Sequence, residues 1–308
     1  VKYIKIGNTD LSASNMIMGN MRLTQLAVSE AEKLIRTAME EGINFFDHAD
    51  IYGKGKCEEI FAEAIQMNPS TREKMIIQSK CGIISPEGYF DFSKGHIIQS
   101  VEGILSRLKT EYLDILLLHR PDPLMEPEEV AEAFEALHNS GKVKYFGVSN
   151  HNPTQIELLQ KYIPYKLVVN QMQLSIAHTP MIDSGITLNM NIDQAVNRDS
   201  SILEYCRLHD ITVQAWSPFQ HGFFEGTFLG DIERYPELNK VLDRLAEKYD
   251  VTTTAMAVAW ITRHPANIQV VLGTTNVQRM KDACKGAEIK LTRQEWYEIY
   301  KAAGNIVP

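Results

Sequence analysis

Short apolar runs recur along this chain at intervals mostly near 30 residues and longer toward the C-terminus, about the length of a strand–helix–strand unit. They are Met16–Met18, Asn44–Asp47, Met75–Ser79, Ile115–His119, Tyr145–Asn150, Leu167–Gln171, Thr212–Ser217 and Gln269–Gly273. Most are rich in Val, Ile, Leu or aromatic residues, and their apolarity is continuous more than alternating. Such runs predict parallel strands covered on both faces.

Between the runs, apolar residues return every three or four positions. Ser29 and Glu32 have the spacing of a capping box for a helix with Ala31, Leu34, Ile35, Ala38 and Met39 on one stripe, ended by Gly42. Ile97, Ile98, Val101, Ile104, Leu105 and Leu108 mark a second helix. Pro127 opens a third and Gly141 closes it, with Val130, Phe134 and Leu137 inward. Asn152-Pro153 caps a fourth. Further helices are predicted at Ser201–Leu208, Pro236–Tyr249, Thr252–Arg263, Val277–Lys285 and Thr292–Ala302, the last with its own box of Thr292 and Glu295.

Strands alternating with helices in this way predict a (β/α)8 TIM barrel forming a single domain over residues 1–308. An open doubly wound sheet would carry GxGxxG after its first strand, and none is present. Two stretches fall outside the repeat. Residues 2–14 read as a short hairpin turning at Gly7-Asn8, expected to close the bottom of the barrel. Residues 219–234, FQHGFFEGTFLGDIER, form a loop after strand seven that is expected to cover a cofactor.

Composition narrows the function class. Hydrophobic residues make up 44% and charged residues 23%, ordinary for a soluble globular protein. The net charge of -8 is spread without a basic stripe, which argues against nucleic acid or an anionic membrane as partner. Cys57, Cys81, Cys206 and Cys284 form no CxxC pair, so neither a disulfide framework nor a zinc site is suggested. The first residues, VKYIKIGNTDLSAS, lack a signal-peptide core, and no apolar run approaches the ~18 residues of a membrane helix. A cytoplasmic protein is expected, and nothing indicates its oligomeric state.

The candidate chemistry sits at the strand ends. Asp47 and Tyr52 close strand two, Lys80 closes strand three and His119 strand four. Barrel enzymes work on that face. A tyrosine beside an ammonium can protonate a carbonyl oxygen. At about 4 Å the ammonium is worth ~4 kcal/mol at an effective dielectric of 20, a ceiling of roughly three pKa units that desolvation opposes. Asp47 would hold Lys80 charged, and His119 would position the substrate. His48, Asp50 and His119 raise the question of a metal, but their spacing matches no helical ligand pattern, and no metal is expected. Cys81, beside Lys80, is a candidate reactive thiol.

The segments FDHADIYG, SKCG, LLHRPDP, KVKYFGVSN, VVNQMQ, AWSPF and VLGTTNVQRM occur in the order and spacing of the aldo-keto reductase family. The chain resembles that family over nearly its whole length, and specifically its bacterial members of unsettled substrate. The resemblance implies NADPH-dependent reduction of an aldehyde or ketone on a (β/α)8 barrel, without metal. It implies a catalytic tetrad of Asp47, Tyr52, Lys80 and His119, with Tyr52 the general acid. It places the nicotinamide carboxamide at Ser149, Asn150 and Gln171 and the stacking aromatic at Trp216. Ser217, Phe219 and Gly222 would cover the cofactor. Gly273, Thr274, Thr275, Gln278 and Arg279 would meet its phosphates at a helix N-terminus. The alternative function is a cofactor-binding regulatory or redox-sensing subunit with slow turnover. A barrel lyase using Lys80 as a Schiff base is the third reading.

Asn20, Met21, Tyr52, Tyr89, Phe90 and His119 are expected at the pocket rim. That set suits a small neutral or apolar carbonyl compound. Many family members carry lysine near the adenosine 2′-phosphate where this chain has Gly273, so Arg279 is expected to read that phosphate almost alone. Arg279→Ala should weaken NADPH binding by ~1.5–3 kcal/mol, the range for a charged hydrogen bond, and leave NADH nearly unchanged. Titration of both cofactors checks this, and equal losses would remove Arg279 from the 2′ position.

Overall fold

The computed structural model describes all residues, Val1–Pro308. Eight parallel strands close into a barrel: β1 (Met16–Gly19), β2 (Phe45–Asp47), β3 (Ile76–Cys81), β4 (Leu113–Leu118), β5 (Val143–Ser149), β6 (Leu167–Gln173), β7 (Thr212–Trp216) and β8 (Gln269–Leu272). Neighbours in sequence are neighbours in the sheet, and β8 closes onto β1 with Val270 opposite Met16 and Leu272 opposite Met18. Each predicted run forms its strand. His119, Asn150, Ser217 and Gly273, included in the runs, lie just past the last paired residue.

The unbroken apolarity has the cause the pattern suggested. Met16, Met18, Phe46, Leu116 and Leu118 pack outward under the helices, while Ile17, Phe45, Ile115 and Leu117 fill the lumen. Alternate side chains of a strand face opposite sides, so a strand apolar on both faces needs a core on each.

The N-terminal hairpin pairs Tyr3–Lys5 with Ser12–Ser14 and closes the lower end as expected. Ile6 and Ala13 are fully buried against Ile17, Phe45 and Ile115. At Gly7, with φ +50°, a Cβ would come within 2.8 Å of the Asp210 carbonyl, so only glycine lets the turn press onto the barrel.

The surrounding helices are α1 (Val28–Glu40), α2 (Lys56–Ala64), α3 (Lys94–Leu108), α4 (Pro127–Asn139), α5 (Pro153–Tyr162), α6 (Ile202–Leu208), α7 (Pro236–Tyr249), α8 (Thr253–Thr262), α9 (Val277–Gly286) and α10 (Arg293–Ala302). The capping box of α10 forms with the expected Thr292 and Glu295, and Asn152 caps α5 as expected, with Gln155 completing a box that was not anticipated. The α1 cap does not form as expected. Ala27 is its N-cap, in extended conformation, and Glu30 accepts the Ala27 N–H at 2.9 Å. Ser29 is already helical, and Glu32 pairs with Arg36 on the exposed face at 2.7 Å. The helix α2 was not anticipated, because the glycines of YGKGK interrupt the chain at its start. Its apolar positions Cys57, Ile60, Phe61 and Ala64 nonetheless have helical spacing. No helix is long and apolar enough to cross a membrane.

Removing the plug should loosen the whole barrel. Ile6→Ala is expected to destabilise the protein by about 2–5 kcal/mol, the cost of a buried cavity. Urea unfolding measures it, and a loss below ~1 kcal/mol would show that the hairpin is only appended.

Candidate active site

Strand parity gathers the polar side chains. With Phe45, Ile76, Leu117, Val169 and Val271 facing the lumen, the residues two or four places on face it too, nearer the upper end of the barrel. These are Asp47, Lys80, His119, Gln171 and Gly273. Tyr52 lies beyond β2 and is hooked back by a tight turn. Gly53 follows it at φ +56°, and a Cβ there would meet Thr24 Cγ2 at 2.6 Å.

The four expected residues converge. Lys80, fully buried, donates from Nζ to Asp47 Oδ2 at 2.6 Å, to the His48 carbonyl at 2.8 Å and to Tyr52 Oη at 3.1 Å. The other Asp47 oxygen accepts the amides of Gln78 at 2.7 Å and Gln171 at 3.1 Å. Both amides also donate to Gln214, which donates to Gln269 at 2.9 Å. A chain of glutamines therefore crosses the lumen beneath Asp47. His119 stands edge-on to Tyr52, ring centroids 6.0 Å apart, with Nδ1 buried and unpartnered.

Burial decides the protonation states. It pushes the Tyr52 hydroxyl above its ordinary value of 10.0, and the opposing pull of Lys80 does not reverse it. The pull of Lys80 expected from sequence is present, but desolvation, expected to oppose it, outweighs it in the resting site. Burial also works against the charge on Lys80, but Asp47 and Tyr52 hold its value above the usual one. His119 is driven well below the ordinary imidazole range by burial, then by Lys80 and Arg120, and is neutral. His48 falls to about 3 for the same first reason; it faces the core, edge-on to Phe61 at 4.5 Å. No three His, Cys, Asp or Glu side chains converge as a metal cluster. Cys81 is fully buried, and burial raises its thiol well above the usual value, the opposite of activation.

Above this cluster opens a cavity of about 860 Å³, within the range of small-molecule sites. On one side Ser149 Oγ donates to the Gln171 carbonyl at 3.0 Å, Asn150 Nδ2 to Ser149 Oγ at 2.8 Å, and Trp216 Nε1 to Asn150 Oδ1 at 3.1 Å. Asn150 and Ser217 hold left-handed backbone at φ +59° and +51°, strain of the kind that accumulates at functional sites. The loop after β7 brings Phe219, Phe223 and Phe224 to the wall, and Phe224 stacks on Trp216 at 6.1 Å. Its base is pinned by Asn239, which donates to the carbonyls of Phe228, Asp231 and Tyr235. Gly222 lies outside the wall, its carbonyl taken by Gln173 at 2.6 Å.

At the far end Gly273, Thr274, Thr275 and Arg279 line the cavity at the N-terminus of α9. Gln278 turns away and donates to Asp282 at 3.0 Å. Arg279 does not stand alone. Arg22, from the loop after β1, donates to the Gly273 carbonyl at 2.7 Å, and a Cβ at position 273 would come within 2.9 Å of its Nη1. One chain end supplies the space and the other fills it with a guanidinium. Sequence order hides this, because the two residues meet only through barrel closure.

Three rim expectations change. Asn20 is fully buried beneath the rim, donating to the Met18 and Asp47 carbonyls at 3.3 and 3.2 Å. Tyr89 and Phe90 form an exposed hairpin with Ile83–Ile84, from which only Ile83 reaches the cavity. Met21 does line it, and so does Arg120, which was not anticipated.

The Aldo/keto reductase family profile matches residues 15–303. The chain belongs to the aldo/keto reductase family. It is 38% identical over 304 residues to the uncharacterized oxidoreductase YcsN of Bacillus subtilis (strain 168), covering 95% of each chain. It is 36% identical to the oxidoreductase YdhF of Escherichia coli (strain K12), covering 98% of each. It is 35% identical to a 6-dehydroglucose reductase of Agrobacterium fabrum, covering 95% of each. Its fold superposes on a crystal structure of a thermostable aldo-keto reductase with the inhibitor epalrestat, at a TM-score of 0.76 and 23% identity over 98% of this chain and 100% of that one. This reductase is accordingly an oxidoreductase of small carbonyl compounds with a nicotinamide cofactor.

The buried ion pair makes a quantitative test. Asp47→Ala should cost about 3–5 kcal/mol, because it strands a buried ammonium. The double variant Asp47→Ala/Lys80→Met should cost less than the two single changes together. A double-mutant cycle in urea measures the coupling, and strict additivity would show that the pair is not energetically linked.

Proposed function

We propose that this reductase uses NADPH to reduce an aldehyde or ketone to an alcohol, with Tyr52 as proton donor. The observation that carries the reading is the Lys80 ammonium 3.1 Å from Tyr52 Oη, at the floor of the cavity that His119 also lines. The cofactor supplies a hydride to the carbonyl carbon when bound. Tyr52 holds a proton at rest, because burial keeps its hydroxyl neutral. As that proton passes to the carbonyl oxygen, negative charge develops on Tyr52 beside Lys80. The ammonium stabilises that charge far more than it stabilises the neutral phenol, which is differential binding of the transition state. Neutral His119 adds a hydrogen-bonding group for the carbonyl oxygen without adding charge.

The residues present fit the cofactor. Asn150 fixes the Trp216 indole as a platform for the nicotinamide, with Ser149 and Gln171 beside it. The α9 N-terminus, Thr274, Thr275, Arg279 and Arg22 form a cationic end for phosphates. Two guanidinium groups there favour NADPH over NADH, since an unpaired phosphate dianion is costly to dehydrate. The relatives named 6-dehydroglucose reductases support an aldehyde of sugar size.

Tyr52→Phe should bind NADPH normally by fluorescence titration and lose about 10²–10⁴-fold in kcat, the usual worth of a general acid. A donor must be protonated to act, and its folded pKa is raised. The wild-type reduction rate should therefore hold through neutrality and fall only above the ordinary tyrosine value of 10.0. Wild-type turnover in the phenylalanine variant would refute the assignment.

A further inference from the structure

Arg120 stands in the cavity wall next to His119, partly buried and with its charge uncompensated. Burial pushes its guanidinium below the usual range, and no acid offsets that. The acid nearest in sequence, Asp122, accepts the Phe92 and Leu124 N–H groups instead. What Arg120 does touch is aromatic: its Cζ lies 5.7 Å from the Trp216 ring centroid and 5.8 Å from that of Phe223. These rings constrain the guanidinium but accept none of its five N–H donors. A partly dehydrated guanidinium without an acceptor is costly to keep, unless an acceptor arrives with a ligand.

We propose that Arg120 is a specificity-determining residue that binds paired oxygen acceptors on the substrate, a carboxylate or vicinal hydroxyls within a few atoms of the reacting carbonyl. This rests on the carbonyl-reductase reading and narrows it. The planar fork of arginine matches two oxygens side by side. Its place beside His119 sets the reach, because the carbonyl oxygen must meet Tyr52 Oη while the oxygenated tail extends toward Arg120. Where the sequence suggested a small neutral or apolar carbonyl compound, this proposal narrows the choice to an oxygen-rich one.

The test compares 4-oxobutanoate, erythrose and butanal, aldehydes of equal chain length, in the wild type, Arg120→Met and Arg120→Lys. In Arg120→Met the ratio of kcat/KM for an oxygenated aldehyde to that for butanal should fall about tenfold or more, carried mainly by KM. Arg120→Lys, which keeps charge without the fork, should recover part of the carboxylate preference and none of the hydroxyl preference. The arm that falls further identifies the oxygen source. An equal factor for all three aldehydes overturns the proposal. A weakened NADPH affinity in fluorescence titration with an unchanged ratio also overturns it, because Arg120 then holds cofactor. If the wild type reduces none of them, the carbonyl-reductase reading fails by itself. Arg120 is then tested by calorimetry with the corresponding alcohols, 4-hydroxybutyrate and erythritol. Tighter binding to wild type than to Arg120→Met supports the proposal, and equal binding ends it.

Discussion

One ion pair organises this protein. Lys80 is a fully buried ammonium, and removing such a charge from water costs several kcal/mol unless every proton finds an acceptor. The site meets that demand with three oxygens, from Asp47, the His48 carbonyl and Tyr52. Each acceptor imposes its own requirement. Asp47 needs donors for its second oxygen and takes them from Gln78 and Gln171, which in turn need Gln214. The His48 carbonyl must point inward, and Tyr52 must return across the barrel mouth through a glycine turn. A polar layer so connected has no member that can be removed without stranding another.

Strand and helix order was legible because parallel strands in a closed barrel are covered on both faces. Side-chain parity made Asp47, Lys80 and His119 legible as well: a polar residue directly after such a run must face either helices or lumen. What could not be read were quantities set by three-dimensional surroundings. The direction of the Tyr52 shift depends on how completely water is excluded, and a spacing carries no such information. Asn20 and Met21 are adjacent in sequence, yet one is sealed beneath the rim and the other lines it. Tyr89 and Phe90 follow a strand as binding residues often do, but their local hairpin turns them outward. Gln278 had the right place on α9 and lost its role to a nearer partner, Asp282.

The arginines show the same limit from the other side. Arg22 and Gly273 lie 251 positions apart, and only closure of β8 onto β1 brings them together. A missing side chain at 273 had implied that Arg279 reads the phosphate almost alone. The structure instead fills the vacated volume with a guanidinium that a β-carbon there would crowd. Loss of a residue in sequence and loss of a function in space are different events.

Charge distribution links these observations. The chain carries a net charge of -8, yet Asp47 is the one acid in the cavity wall and is neutralised by Lys80. His119 and His48 are neutral, so no cationic imidazole repels the arginines. Arg22, Arg120 and Arg279 therefore act undiminished, at the two ends of one cavity. Low-dielectric walls focus their field at the mouth, while the acidic exterior disfavours anions elsewhere on the surface. Beyond about 10 Å salt screens both effects, so discrimination happens at contact. There, Arg120 and Arg279, whose side chains have no acceptor in the fold, gain only if an incoming group supplies the oxygens, whereas Arg22 is already held by the Gly273 carbonyl.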